Sequence, residues 1–342
     1  MKYNYVFFNT QEGWEKSDDG YYKICVNDLE QNSHVHLVSF PLDSEPAALR
    51  FLYRLHTSGR INRRIQLPLR EWWYSRYFRN SFPQNAPCCF IVLGSYCSVS
   101  YLRWLKRRYP NARIVKLHRD LVELWRCNMP EFSEDVCKEL FDLRFIYDEQ
   151  EARKYHAIPF SEFESKIDIP VADHYPLSDI FFAGLAKDRL PRLMEAYRIF
   201  TSAGLRCSYY LTGVPQKDRI PFPGITYADK PMAYREMLYR TVNSRCVLEI
   251  NQGGAVGYTS RFLEAVMYNK KLITDNVTIR NTKFYDPRYI QCVDDVRDIR
   301  PEFVTEDAGT VDYHYDNEFS PIHLIEQIDE ALIKLDAKEG RP

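Results

Sequence analysis

Short apolar runs recur along the whole chain, and stretches with a helical period separate them. This alternation marks an α/β fold on parallel strands, because each parallel pair needs a long crossover and the crossover is usually a helix. In the first half the apolar runs lie at 5–8, 36–40, 89–93, 113–117 and 143–147, with helical patterns at about 20–31, 97–109, 133–140 and 148–155. Residues 166–178 break the rhythm. They carry Pro170 and Pro176, hold no period, and read as an interdomain linker. The alternation then restarts, with strands at 180–183, 207–211, 225–227, 246–251, 271–275 and 289–293. Helices are expected at about 188–203 and 232–243, within 252–276, and at about 320–336. Two doubly wound halves follow: an N-terminal domain over 1–170, a C-terminal domain over 171–319, and a helix and tail over 320–342 that pack back towards the first. Ligands in such sheets bind at the carboxyl ends of the strands, here in a cleft between the halves.

A formal charge of −1 over 342 residues argues against a general nucleic-acid binder, which is usually basic throughout. Nucleic acid is not the expected partner. Nine cysteines include no CxxC pair, and Cys88 and Cys89 are adjacent, so they read as reduced thiols rather than a disulfide framework or zinc site. No run approaches the roughly 20 apolar residues of a membrane span, and the start MKYNYVFFNT is too short and polar for a signal peptide. A cytoplasmic protein is expected.

The stretch QGGAVGYTSRFLEAVMYNKKLITDN, residues 252–276, concentrates the chemistry. Gly253, Gly254 and Gly257 crowd the turn before its helix, where they let backbone N–H groups approach a ligand closely. Arg261 falls in the first helical turn. A helix N-terminus carries partial positive charge, so a cation there costs roughly 0.3–1 kcal/mol, unless an anion shares the place. Phe262, Leu263, Val266 and Met267 form a buried stripe, while Arg261, Glu264, Ala265 and Tyr268 form another face. Two readings stand. Arg261 and Glu264 make an ion pair on a solvated face, worth well under about 1 kcal/mol. Alternatively, a phosphate sits at the turn beside Arg261, and Glu264 accepts hydrogen bonds from sugar hydroxyls. The second describes a nucleoside diphosphate.

At these residues the chain resembles the GT-B glycosyltransferases, especially bacterial members that build capsule, lipopolysaccharide and other surface glycans. The resemblance rests on 252–276, with its glycine turn, Arg261, Glu264-Ala265 and the run 270–274, and on 179–189 at the start of the second half. It covers the C-terminal half, with the N-terminal half alike in general architecture. It implies two Rossmann-like domains facing each other across a cleft, with the nucleotide-sugar donor in the second. By resemblance, Gly184, Lys187, Arg189 and Arg261 surround the diphosphate together with Gly253, Gly254, Gly257, Tyr258 and Thr259, and Glu264 holds the ribose. Gly213 would wall the site. Tyr227 either flanks the nucleobase or belongs to the core. Lys187 and Arg189 equally fit a polar helix start, with Asp188 as its cap. Many retaining members carry a second glutamate eight residues before the helix one; here that position is Val256, and Glu249 lies in the strand, so stereochemistry is unassigned. Asp294-Asp295 comes too late to serve as a metal motif, so activity without a metal or any cofactor beyond the donor is expected.

The first half should hold the acceptor and a general base. His118 and Asp120 follow the run 113–117 directly and are the candidates, with Asp120 also suited to capping the next helix. Asp19-Gly20, in the first loop, is a second candidate, and Gly94-Ser95-Tyr96 is another strand-end loop placed to line the cleft. Residues 50–79 hold eight arginines and one acid, Glu71, with aromatics interleaved. Arg63, Arg64, Trp72, Trp73 and Arg76 suit an anionic membrane surface, a phosphate-bearing acceptor or a stacked single strand, as well as a plain basic helix. A lipid-linked glycan at the inner membrane face is the favoured acceptor. Two rivals keep the same fold: a nucleotide-binding scaffold without turnover, and a transferase of glycerol phosphate from a cytidine donor.

Overall fold

The computed structural model describes residues 1–9, 20–39, 45–58, 61, 65, 67, 71–75, 87–93, 98–119, 121–171, 175–252 and 257–341. They form two compact units. The first takes the described residues of Met1–Asp18, Val26–Ser161 and Pro321–Pro342, and the second those of Asp19–Cys25 and Glu162–Ser320. Among the described residues no helix is long and apolar enough to cross a membrane.

The first unit is built on a parallel sheet of order β2-β1-β3-β4-β5-β6. Its strands are β1 (Asn4–Asn9), β2 (Val35–Ser39), β3 (Cys88–Val92), β4 (Arg113–His118), β5 (Leu143–Ile146) and the short β6 (Ile158–Pro159). Strands β3 and β4 are buried at every position, as parallel strands covered on both faces must be. Phe90 and Ile114 pack with Tyr101, Leu102 and Leu105 of the helix Val99–Arg108. That helix begins where Ser98 Oγ accepts from Tyr101 N at 3.2 Å. The helices Ala47–Thr57 and Val122–Asn128 have no clear bounds in the sequence, and each starts after a residue with no capping side chain, Pro46 and Leu121. Val122 N instead donates to Glu151 Oε2 at 2.7 Å, a partner 29 positions away.

The second unit is also a parallel sheet, of order β12-β11-β10-β7-β8-β9. Its strands are β7 (Ser178–Leu185), β8 (Cys207–Thr212), β9 (Ile225–Ala228), β10 (Ser244–Glu249), β11 (Lys271–Thr274) and β12 (Ile290–Cys292). From β9 this is the 3-2-1-4-5-6 order of a dinucleotide fold, and the chain reverses direction across the sheet between β7 and β10. The segment read as a linker is part of this unit. Ile167 and Ile169 pack with Phe181, Tyr234 and Leu238, because their side chains gain more by burial than a free linker would allow. The helix expected over 20–31 divides. Tyr21–Cys25 joins the second unit, where Ile24 enters the same cluster, while Asn27–Gln31 stays with the first as a 3-10 turn.

Candidate functional site

The switch point brings together the carboxyl ends of β7 and β10, and three cations with them. Lys187 and Arg189 follow β7. Lys187 adopts a φ of +42°, a left-handed conformation that costs a residue with a side chain and is concentrated at functional sites. Its Nζ donates to Gln252 Oε1 at 2.9 Å, across to the end of β10. Arg189 is half-buried, and its guanidinium donates to the carbonyls of Leu185 at 3.0 Å and Ile250 at 2.5 Å. Burial and the neighbouring Arg261 charge pull its pKa down to about 10. A cation destabilised in this way is a place that welcomes an anion. Gly184 leaves the room: a Cβ there would meet Arg189 Nη2 at 3.0 Å. Gly213 stands beside it with a φ of +70°, and a Cβ there would meet Leu185 Cδ2 at 3.0 Å.

Arg261 does not point out of its helix, Ser260–Met267. Its Nη1 donates to both oxygens of Glu264, at 2.6 and 2.7 Å, and its Nη2 donates to Ala183 O of β7 at 2.9 Å. Glu264 is fully buried and Arg261 is 17% exposed. The pair therefore belongs to neither simple reading. It is not a solvated face, and Glu264 offers no oxygen to solvent. Tyr234 OH also donates to Glu264 Oε1, at 3.0 Å. Burial pushes the Glu264 carboxyl up, against the pull of Arg261. A ribose hydroxyl would have to share an oxygen already engaged by protein donors.

Solved structures with a similar architecture include an alpha-glucosyltransferase in complex with UDP and a 13-mer DNA containing a HMU base, at a TM-score of 0.58 and 14% identity over 95% of this chain and 98% of that one. An alpha-glucosyltransferase with UDP-glucose and DNA containing an abasic site gives 0.57 and 14% over the same shares. One in complex with UDP gives 0.55 and 11%, again over 95% and 98%. The fold is that of the GT-B glycosyltransferases. No protein-family model matches the sequence, and no curated protein matches it.

Buried polar groups anchor the described residues on either side of the helix Ser260–Met267. Thr259 caps the helix, its Oγ1 accepting from Arg261 N at 3.1 Å. The same hydroxyl donates to Glu249 Oε1, and Thr274 Oγ1 donates to Glu249 Oε2. Gly257 O accepts from Asn276 Nδ2 at 2.8 Å. Tyr258 packs on Phe262, 5.1 Å between ring centres, on the side of the core. Tyr227, the third of the four residues of β9, is partly buried and packs against the core cluster of β7, β8 and β10. Gly253 and Gly254 lie outside the described residues. Sequence reasoning missed Thr259 as a cap, and it missed the roles of Glu249, Arg192 and Asp275, whose partners lie 10 to 83 residues along the chain.

Glu249 carries a pH signature. Burial raises its pKa from 4.5 to about 7, although the two threonine hydroxyls oppose it. Its folded pKa thus lies above the unfolded one, and the folded chain holds a proton that the unfolded chain has released. Stability falls as pH rises from about 4.5 to about 7, by on the order of 3 kcal/mol at 1.36 kcal/mol per unit. Glu249→Gln removes the charge and keeps one acceptor oxygen for a threonine hydroxyl, with its NH2 donating to the other hydroxyl. Urea unfolding at pH 5 and pH 8 should show the variant gaining on wild type as pH rises; parallel losses in both proteins would show that Glu249 titrates normally.

The acceptor-side candidates fare differently. His118 ends β4, but its ring is 2% exposed and packs edge-on against Trp125, 4.8 Å between centres. Burial, with Lys116, Arg144 and Arg126 nearby, pushes its pKa down to about 2. A base that weak and enclosed does not take a proton from an acceptor hydroxyl near neutral pH. Trp73 is buried, its Nε1 donating to His56 Nδ1 at 2.8 Å, while Trp72 is 48% exposed. Arg63, Arg64, Arg76, Asp120, Asp19 and 94–96 lie outside the described residues. The reversal point of the first sheet falls between β1 and β3.

Proposed function

We propose that the chain is a glycosyltransferase that binds a nucleoside-diphosphate sugar in its second unit. The observation that carries this reading is the meeting of Lys187, Arg189 and Arg261 at the switch point between β7 and β10, with Arg189 a destabilised cation. In the reaction the bond from the sugar's anomeric carbon to the donor phosphate breaks, an acceptor hydroxyl oxygen takes that carbon, and its proton passes to a base. Negative charge grows on the departing diphosphate, and fixed cations aimed at it lower the barrier. Lys187 and Arg189 would supply that field, with Arg261 and the N–H groups of the glycine turn behind them. Turnover without a bound metal or further cofactor is part of the proposal. UDP, which the similarly folded alpha-glucosyltransferases hold, is the first candidate nucleotide.

The test is a thermal-shift panel of UDP, GDP, ADP, CDP and CMP on wild type and Arg189→Met. One nucleoside diphosphate at 100 times its dissociation constant should stabilise wild type by about 2.7 kcal/mol. Loss of a charge-assisted bond should weaken it in the variant roughly 10- to 100-fold. No shift with any nucleotide overturns the donor site, and a CDP or CMP shift without sugar transfer favours the glycerophosphotransferase. Nucleotide binding without release of sugar from any donor favours the scaffold.

The acceptor is proposed to be a surface glycan or its lipid-linked precursor, reached at the cytoplasmic membrane face through residues 50–79, where Phe51 and Trp72 are 66% and 48% exposed. A nucleic-acid acceptor is the second reading. The DNA held by the similarly folded enzymes supports it, and exposed rings among arginines would stack bases. Transfer from labelled donor to lipid-linked glycan in vesicles, set against transfer to duplex DNA, decides between them.

A further inference from the structure

A pair of charged residues ties down the backbone at the mouth of the donor turn. Asn251 is the first residue after Ile250 on the way from β10 to the glycines. Its N–H donates to Asp275 Oδ1 at 2.8 Å, and its carbonyl accepts from Arg192 Nη2 at 2.5 Å. Arg192 Nη1 closes the ring on Asp275 Oδ2 at 2.7 Å. One residue thus has both backbone groups held by two side chains that also hold each other. Arg192 comes from the first turn of the helix Leu190–Ser202, and Asp275 follows the end of β11, so Asn251 joins the ends of β10 and β11 to that helix. Asp275 is 10% exposed and Arg192 38%. Asn276, one residue beyond Asp275, donates through Nδ2 to Gly257 O at 2.8 Å.

We infer that Arg192 and Asp275 are positioning residues for the donor diphosphate, acting through Asn251 rather than by touching the ligand. The inference rests on the donor reading above. It makes a prediction of sign that simple charge does not. Asp275 is an anion close to the place proposed for a diphosphate, so charge alone says that removing it tightens binding. If its work is to hold Asn251, removing it loosens the turn and weakens binding.

Calorimetry with UDP and with uridine on wild type, Asp275→Ala, Asp275→Asn, Arg192→Ala and the double alanine variant tests this. Asp275→Ala and Arg192→Ala should each weaken UDP by about 10- to 100-fold, as displaced positioning groups do. Uridine, which has no phosphate, should bind all variants alike. Asp275→Asn keeps an acceptor for Asn251 N–H and should recover most of the affinity. The double variant should lose about as much as either single one, because both open the same ring. Tighter UDP binding by Asp275→Ala, additive losses, or equal losses of UDP and uridine each overturn the inference while leaving the donor site standing. A wild-type protein that binds no nucleoside diphosphate overturns both.

Discussion

Glu264→Ala is expected to lower the stability of the ligand-free protein by about 3–5 kcal/mol, the cost of stranding one partner of a buried ion pair. Glu264 is fully buried, and it neutralises an arginine that is itself 17% exposed. The truncation leaves the Arg261 guanidinium with Ala183 O and the Met237 sulfur, 2.9 and 2.8 Å away, and frees the Tyr234 hydroxyl. Replacing both members, as Arg261→Met with Glu264→Leu, should restore much of the loss, since apolar packing often matches a buried pair. Urea unfolding measures both variants. A loss below about 1 kcal/mol for Glu264→Ala would mean that the pair behaves as a surface one. The same measurement guards the reading of ligand experiments. A variant that is unstable without nucleotide cannot by itself assign Glu264 to the ribose, and Glu264→Gln is the better probe of that contact.

Asp336→Ala should cost the first unit about 3 kcal/mol, at the lower end for a buried pair because Arg113 keeps other acceptors. Arg113 on β4 is 1% exposed and Asp336 of the helix Pro321–Glu339 is 2% exposed. Arg113 Nη2 donates to Asp336 Oδ1 at 2.5 Å and to Glu339 Oε2 at 2.8 Å, Nε adds a second bond to Asp336 Oδ1 at 3.2 Å, and Nη1 donates to Asp142 Oδ1 at 3.1 Å. Tyr3 OH at 2.6 Å and Lys2 Nζ at 2.9 Å donate to Asp336 Oδ2. Burial raises the Asp336 carboxyl, but these donors outweigh it and hold the pKa at about 2, below the ordinary 3.8. The folded pKa is depressed, so the contribution is whole above about 4 and is lost as pH falls through about 2. Acid unfolding followed by circular dichroism should therefore show Asp336→Asn and wild type converging below pH 2 after differing at pH 6. A difference that stays constant across that range would remove the charge from the explanation.

Most strands were legible because they are short apolar runs buried on both faces: residues 113–117 became β4 and 246–251 became β10 with shifts of one or two positions, whereas the two-residue β6 offers no such run. Helices with a capping side chain, such as the one beginning at Ser98, were legible too. Ala47–Thr57 and Val122–Asn128 were not, because nothing local announces their starts. At the site, glycines and cations near strand ends pointed to Gly184, Lys187, Arg189 and Arg261. The pairing of Lys187 with Gln252, 65 residues on, and of Arg192 with Asp275, 83 residues on, has no local signal.

The sequence by itself determined the α/β class, the succession of the strands, and the concentration of glycine and cationic residues at two strand ends, because hydrophobic period and turn chemistry are local properties. Only the tertiary structure decided which strands are neighbours, and with that where the switch point lies. It also decided that Glu264 is buried, that His118 is enclosed, and that the last helix, expected to pack back towards the first half, is held there through an aspartate 223 residues from its arginine. The charge state and reach of a side chain depend on what surrounds it, and those surroundings are assembled from distant parts of the chain.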